Sequence, residues 1–63
     1  MKIEQLTIIN GVILMVCDIS SQSYQYEIVV SDGLIYQPNE IYKTANQARD
    51  VGIERIKIVL GSR

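Results

Sequence analysis

The chain has 63 residues, a formal net charge of −1, four tyrosines, one cysteine and no histidine. That length holds one small domain, at a size where a single core buries only about 60% of the surface the unfolded chain exposes, so a lone copy is expected to be marginally stable. The missing histidine removes the commonest general base and metal ligand, the single cysteine rules out an internal disulfide, and the longest apolar run, residues 12–17, is too short to span a bilayer.

Residues 2–9 read as a first strand, because Leu6 and Ile8 alternate with Thr7 ahead of Asn10-Gly11, a favoured hairpin dipeptide. Residues 12–19 return antiparallel to it, with Val12, Leu14 and Val16 pointing one way and Ile13, Met15 and Cys17 the other. Both faces of this strand call for cover. Cys17 lies within its apolar run and is expected to be a small buried hydrophobe. Ser20 to Ser23 form a polar connection to a third strand over residues 24–30, where Tyr24, Tyr26, Ile28 and Val30 share a face and Gln25 and Glu27 make the opposite face wet.

Asp32-Gly33 then predicts a two-residue type I′ hairpin, which needs positive φ at both positions, leading into a fourth strand over residues 34–37 that Pro38 ends. Thr44 and Gln47 have the spacing of a capping box. The helix behind it is expected over residues 45–51, with Gly52 as its left-handed C-terminal cap. Residues 53–60 follow as a closing strand with Ile56, Ile58 and Leu60 inward, and residues 61–63 as a frayed tail. The fold class is therefore α+β, a mostly antiparallel sheet in the order β-β-β-β-α-β with one short helix on one face. A helix of seven residues spans only ~10 Å. Ile13, Met15, Cys17, Val29, Ile35 and Val59 are left over for the face it does not reach, and surplus of that kind predicts a homo-oligomer, with a two-fold dimer first in line.

No spacing in the chain suggests catalysis. Asp18, Glu27, Asp32 and Glu40 are scattered, and the glycines form no phosphate-binding pattern, so neither an enzyme nor a cofactor is expected. Tyr24, Tyr26, Tyr36 and Tyr42 gather around the second hairpin and are candidate anchors for a protein partner, although their strand positions equally suit packing. The charge is uneven: residues 1–42 carry Lys2 against five acids, whereas residues 43–63 carry five basic residues against Asp50 and Glu54. Lys43, Arg49, Arg55, Lys57 and Arg63 are thus candidates for nucleic-acid contact, on a chain whose acidic balance disfavours it.

Residues 24–52 resemble, in layout, the amino-terminal arm-binding domain of tyrosine recombinases and the related ethylene-response-type DNA-binding domains, through Tyr26, Ile28, Asp32, Gly33, Thr44 and Ala48. Those families read DNA through basic and aromatic residues on the sheet. This chain has Gln25, Glu27 and Val29 there, so no functional residue carries over. The chain also resembles short bacterial proteins, often swapped dimers, built from a hairpin, a Thr-capped helix and a closing strand. Together these readings lead us to expect a small cytoplasmic protein, without membrane contact, that associates with itself and with a protein partner; nucleic-acid binding is the alternative.

Overall fold

The computed structural model describes residues 2–61, and side chains through residue 58. Four antiparallel strands, β1 (Lys2–Ile9), β2 (Val12–Ser20), β3 (Ser23–Val29) and β4 (Ile35–Tyr36), lie side by side in chain order, and one helix, α1 (Ala45–Gly61), packs against one face of the sheet. This is the expected α+β class.

Turn chemistry sets the registers. Asn10 and Gly11 both have positive φ, 50° and 79°, as a two-residue hairpin requires, and they pair Ile9 with Val12 and Ile8 with Ile13. The second hairpin differs from expectation. Gly33 N–H donates to the Val30 carbonyl at 2.9 Å, and Val30 N–H donates to the Leu34 carbonyl at 3.0 Å, so the loop has three residues, Ser31, Asp32 and Gly33. Only Gly33 has a left-handed φ, 91°. Asp32 keeps an ordinary backbone and uses its carboxylate to accept from Leu34 N–H at 3.3 Å, the local capping that aspartate offers in turns. Between β2 and β3 the chain turns at Ser21-Gln22, where Gln22 has a φ of 59°.

The larger correction lies beyond the helix start. Thr44 caps α1 as expected, its Oγ1 accepting from Gln47 N–H at 3.0 Å, while Gln47 Oε1 accepts from Lys43 N–H at 3.3 Å. The helix then does not stop at Gly52. It runs on to Gly61, 17 residues in all, through the segment expected to form a closing strand. The alternation Ile56, Ile58, Leu60 looks like a strand, but Ala48, Gly52 and Ile56 recur every four residues, and these are the positions that face the sheet. Ile58, expected inward, is 63% exposed. The side chains of Val59 and Leu60, and the tail residues Ser62 and Arg63, lie outside the described residues.

Gly52 is needed for proximity, since its φ is not in the left-handed region. A Cβ placed there would lie 2.6 Å from Leu14 Cδ1, 3.2 Å from Leu14 Cδ2 and 3.4 Å from Tyr26 Cδ1. The helix therefore rests directly on β2 and β3. The core under it consists of Leu14, Val16, Tyr26, Ile28, Ala48 and Ile56, with Val12, Tyr24, Val30 and Val51 packed around them.

Two opposing effects act at Gly52. Alanine gains about 1 kcal/mol in helix propensity, but overpacking against the buried Leu14 costs ~1–3 kcal/mol. Gly52→Ala is therefore expected to destabilise the wild-type chain by about 1 kcal/mol and to stabilise a Leu14→Ala background, where the clash is gone. Urea unfolding of the four variants at one fixed protein concentration measures both signs. A stabilising Gly52→Ala in the wild type would contradict the close approach.

Candidate functional site

Three places on the molecule bear on function: the tyrosine cluster, the groove beside it and the sheet face opposite the helix. Tyr26 lies at the centre of the first, on β3 under the helix and 1% exposed. The Tyr36 ring on β4 lies 6.5 Å from it and the Tyr42 ring 6.1 Å from it, both tilted. Such separations and inclinations suit aromatic packing. Tyr42 is held by reciprocal 2.8 Å backbone hydrogen bonds with Tyr24, which bring the chain back beside β3 beyond the short β4. Arg55 Nη1 donates to the Tyr36 hydroxyl at 3.1 Å, and the Tyr42 hydroxyl donates to Glu40 Oε1 at 2.5 Å.

The structure thus brings all four sequence-predicted tyrosines to the helix side of β3 and encloses Tyr26 completely. Its hydroxyl is buried without a hydrogen-bond partner among the described residues. The ring supplies volume to the core, while burial of the hydroxyl pushes its pKa up, with Arg55 acting in the opposite sense. Tyr42 is pushed up to about 12, first because its proton is engaged by the Glu40 carboxylate and then by desolvation.

The basic candidates do not converge. Arg49 forms a surface ion pair with its neighbour Asp50 at 3.1 Å. Arg55 leans toward Tyr36 on the β4 side of the helix, whereas Asn46, which accepts from Gln5 at 3.2 Å, marks the β1 side. Lys57 is about 160° around the helix axis from Arg55, at ~100° per residue. Lys43 precedes the helix, and Arg63 lies outside the described residues. The basic residues on α1 therefore flank the helix rather than forming a single row.

An open groove of about 1010 Å³ runs between the second half of α1 and the end of the sheet that carries the two hairpin turns. Val12, Ile28, Val30 and Ile56 form its floor, with Arg55 and Asp32 its charged lining residues among those described. No three His, Cys, Asp or Glu side chains come together as metal ligands among the described residues. No helix of the described residues is long and apolar enough to cross a membrane.

The face of the sheet away from α1 is the most distinctive surface. Cross-strand register lines up Ile8, Ile13, Val29 and Ile35 in one row across all four strands, Leu6 and Met15 with Glu27 in the next, and Ile3 and Cys17 with Gln25 in the third. Of these, Ile3, Leu6, Ile8 and Ile35 are 53–64% exposed. Of the surplus foreseen, Ile13, Met15, Cys17, Val29 and Ile35 lie on this face, Ile35 exposed and Cys17 buried, whereas Val59 falls on α1 with its side chain outside the described residues. Ile3, Leu6 and Ile8 complete the face, a contribution that the alternation in β1 signalled but the surplus inferred from the sequence did not include. Cys17 is 5% exposed within this face and outside the core cluster under α1. Burial raises its pKa, and the charge of Glu27 adds to the shift, so the thiol stays protonated. Comparison with protein-family models, curated proteins and solved structures finds no match to the chain.

Two measurements check this account of the tyrosines. Tyr26→Phe removes an unpaired buried hydroxyl while keeping the ring, so stability should hold or rise by up to about 1 kcal/mol; a loss of ~2 kcal/mol in urea unfolding would mean that the hydroxyl has a partner. For Tyr42 the folded pKa of about 12 exceeds the ordinary 10.0, so between those values the folded chain keeps a proton that the unfolded chain releases. The Glu40 contact therefore stabilises the fold fully below pH 10 and is lost as pH climbs toward 12. Tyr42→Phe should flatten the fall of the urea midpoint over that window relative to wild type.

Proposed function

We propose that this chain is a non-enzymatic protein that works by association, with itself and with a protein partner, through the sheet face opposite α1. One observation carries the reading: the row Ile8, Ile13, Val29, Ile35, reinforced by Leu6, Met15 and Ile3, forms a continuous apolar surface with no layer over it among the described residues. Burial of apolar surface is the main driving force of association, and contiguous patches of this kind mark interaction sites. The free sheet edges suit the role less well. β1 carries a bulge at Glu4, where the register shifts between Ile3 and Gln5, and β4 has two residues and is followed by Pro38, which has no N–H to offer.

Sedimentation velocity at micromolar concentration should give a species heavier than the 7.1 kDa chain. Ile13→Lys, at the centre of the apolar row, should weaken association by at least about tenfold, since it buries an unpaired charge at the contact. Lys57→Ala on the helix should leave it unchanged. A wild-type chain that stays monomeric at about 100 μM, a concentration that corresponds to only ~5.5 kcal/mol of association free energy, removes the self-association half of the proposal.

A further inference from the structure

Resting on that reading, we infer that the occupant of the outer face is a second copy of this chain, packed sheet on sheet about a two-fold axis parallel to the strands, so that each apolar row lies over the same row of its partner. The first support is shape. The face is one side of a four-stranded sheet, and two such faces pack on one another as the layers of a sandwich do. Three strands counted at seven residues and β4 at its two, with ~4.8 Å spacing and ~3.4 Å rise, give roughly 375 Å² in projection per copy. Two copies cover about 750 Å² in projection, and the relief of the side chains raises the accessible area removed toward the ~1,000 Å² that a specific interface needs.

The second support is charge, and it selects the axis. Within the three rows Glu27 is the sole charged residue, on β3 in the middle row. A two-fold axis across the strands keeps each strand over its own copy and exchanges the Ile8 row with the Ile3 row. The middle row then lies over itself, and Glu27 faces Glu27 of the partner subunit in a contact closed to water, where like charges repel strongly. An axis along the strands exchanges the left and right sides of the sheet instead. With that axis over β2, or midway between β2 and β3, β3 lies over β1 or β2 of the partner, and the two Glu27 carboxylates are separated laterally by roughly 5–10 Å in addition to the ~10 Å between sheets; an axis through β3 would appose them and is disfavoured in the same way. The rows stay in register. The Ile8 row, apolar across its whole width, meets itself, and both helices end on the outside, each still covering its own inner face.

The experiment is an isotope-filtered NOE measurement on dimers mixed from ¹³C-labelled and unlabelled wild-type chain. Expected are intermolecular contacts from Ile8 methyls to methyls of the Ile13, Val29 or Ile35 row. Contacts from Ile8 to Ile3 would establish the crossed-row arrangement and overturn the inference while leaving association intact. Intermolecular contacts confined to the β1 backbone would mean edge pairing and overturn it as well. A chain that stays monomeric and shows no filtered contact would remove the second copy as occupant, and self-association with it. Glu27→Gln gives an independent reading by sedimentation. Neutralising Glu27 relieves its desolvation in either arrangement, so the dissociation constant should fall in both, by about tenfold or more where the two carboxylates are apposed and by less where they are offset; a fall of about tenfold or more would count against rows in register.

Discussion

The fold depends on how closely α1 sits on β2 and β3. With glycine at position 52, the helix backbone comes down onto Leu14 and Tyr26 at a distance that any larger residue would have to push apart. Ala48 one turn before and Ile56 one turn after complete a stripe that is small, absent and then large, fitting against two bulky core residues below. In a domain this small the core has few members, and thin packing between layers would leave little to offset the entropy of ordering the chain. The close approach compensates by burying Leu14, Val16 and Tyr26 almost completely with a single helix.

That same approach decides what the tyrosines are for. Tyr26 is drawn under the helix, and Tyr36 and Tyr42 close over its sides, with Arg55 and Glu40 engaging their hydroxyls. A cluster that looks in the sequence like a recognition surface also forms, in space, the seal along the β3 side of the core, with Tyr26 buried and Tyr36 still 47% exposed. The backbone bridge between Tyr24 and Tyr42 has a related effect, since it occupies the free edge of β3 where β4 is too short to reach. One side of the sheet is thereby finished, and the other is left bare.

Much of this was legible from local chemistry. Asn10-Gly11, the alternation in β1 to β3, the Thr44 cap and the two-faced character of β2 all follow from rules that act over a few residues, and the structure follows them. The closing strand misled for a specific reason. Ile53, Ile56, Ile58 and Val59 are β-branched, alternate in part and follow a glycine, which together favour a strand preceded by a helix cap. The competing helical stripe of Ala45, Ala48, Gly52 and Ile56 is weak in hydropathy because two of its members are alanine and one is glycine. Those small residues carry their meaning only once the sheet beneath them is in place, so tertiary proximity overrode the local signal. At Asp32-Gly33 the difference is finer: the dipeptide fits both a two-residue turn and a three-residue loop ending in a left-handed glycine, and the Asp32 carboxylate, by capping Leu34, favours the second.

The helix correction also changes the reasoning about cover. A seven-residue helix would leave part of the inner face open, and the surplus would be shared between both sides. A helix of 17 residues, about 25 Å long, runs the length of the sheet and finishes the inner face over its two central strands. The surplus on the sheet then falls on its outer face, in three ordered rows that include the β1 residues Ile3, Leu6 and Ile8, while Leu34, Ile41 and Ile58 are exposed elsewhere. A second layer comparable to α1 would take a further helix of similar length, and the described residues hold none. Any cover for Ile8, Ile13, Val29 and Ile35 therefore has to come from outside these residues, and Glu27 in the neighbouring row constrains how such a cover is turned.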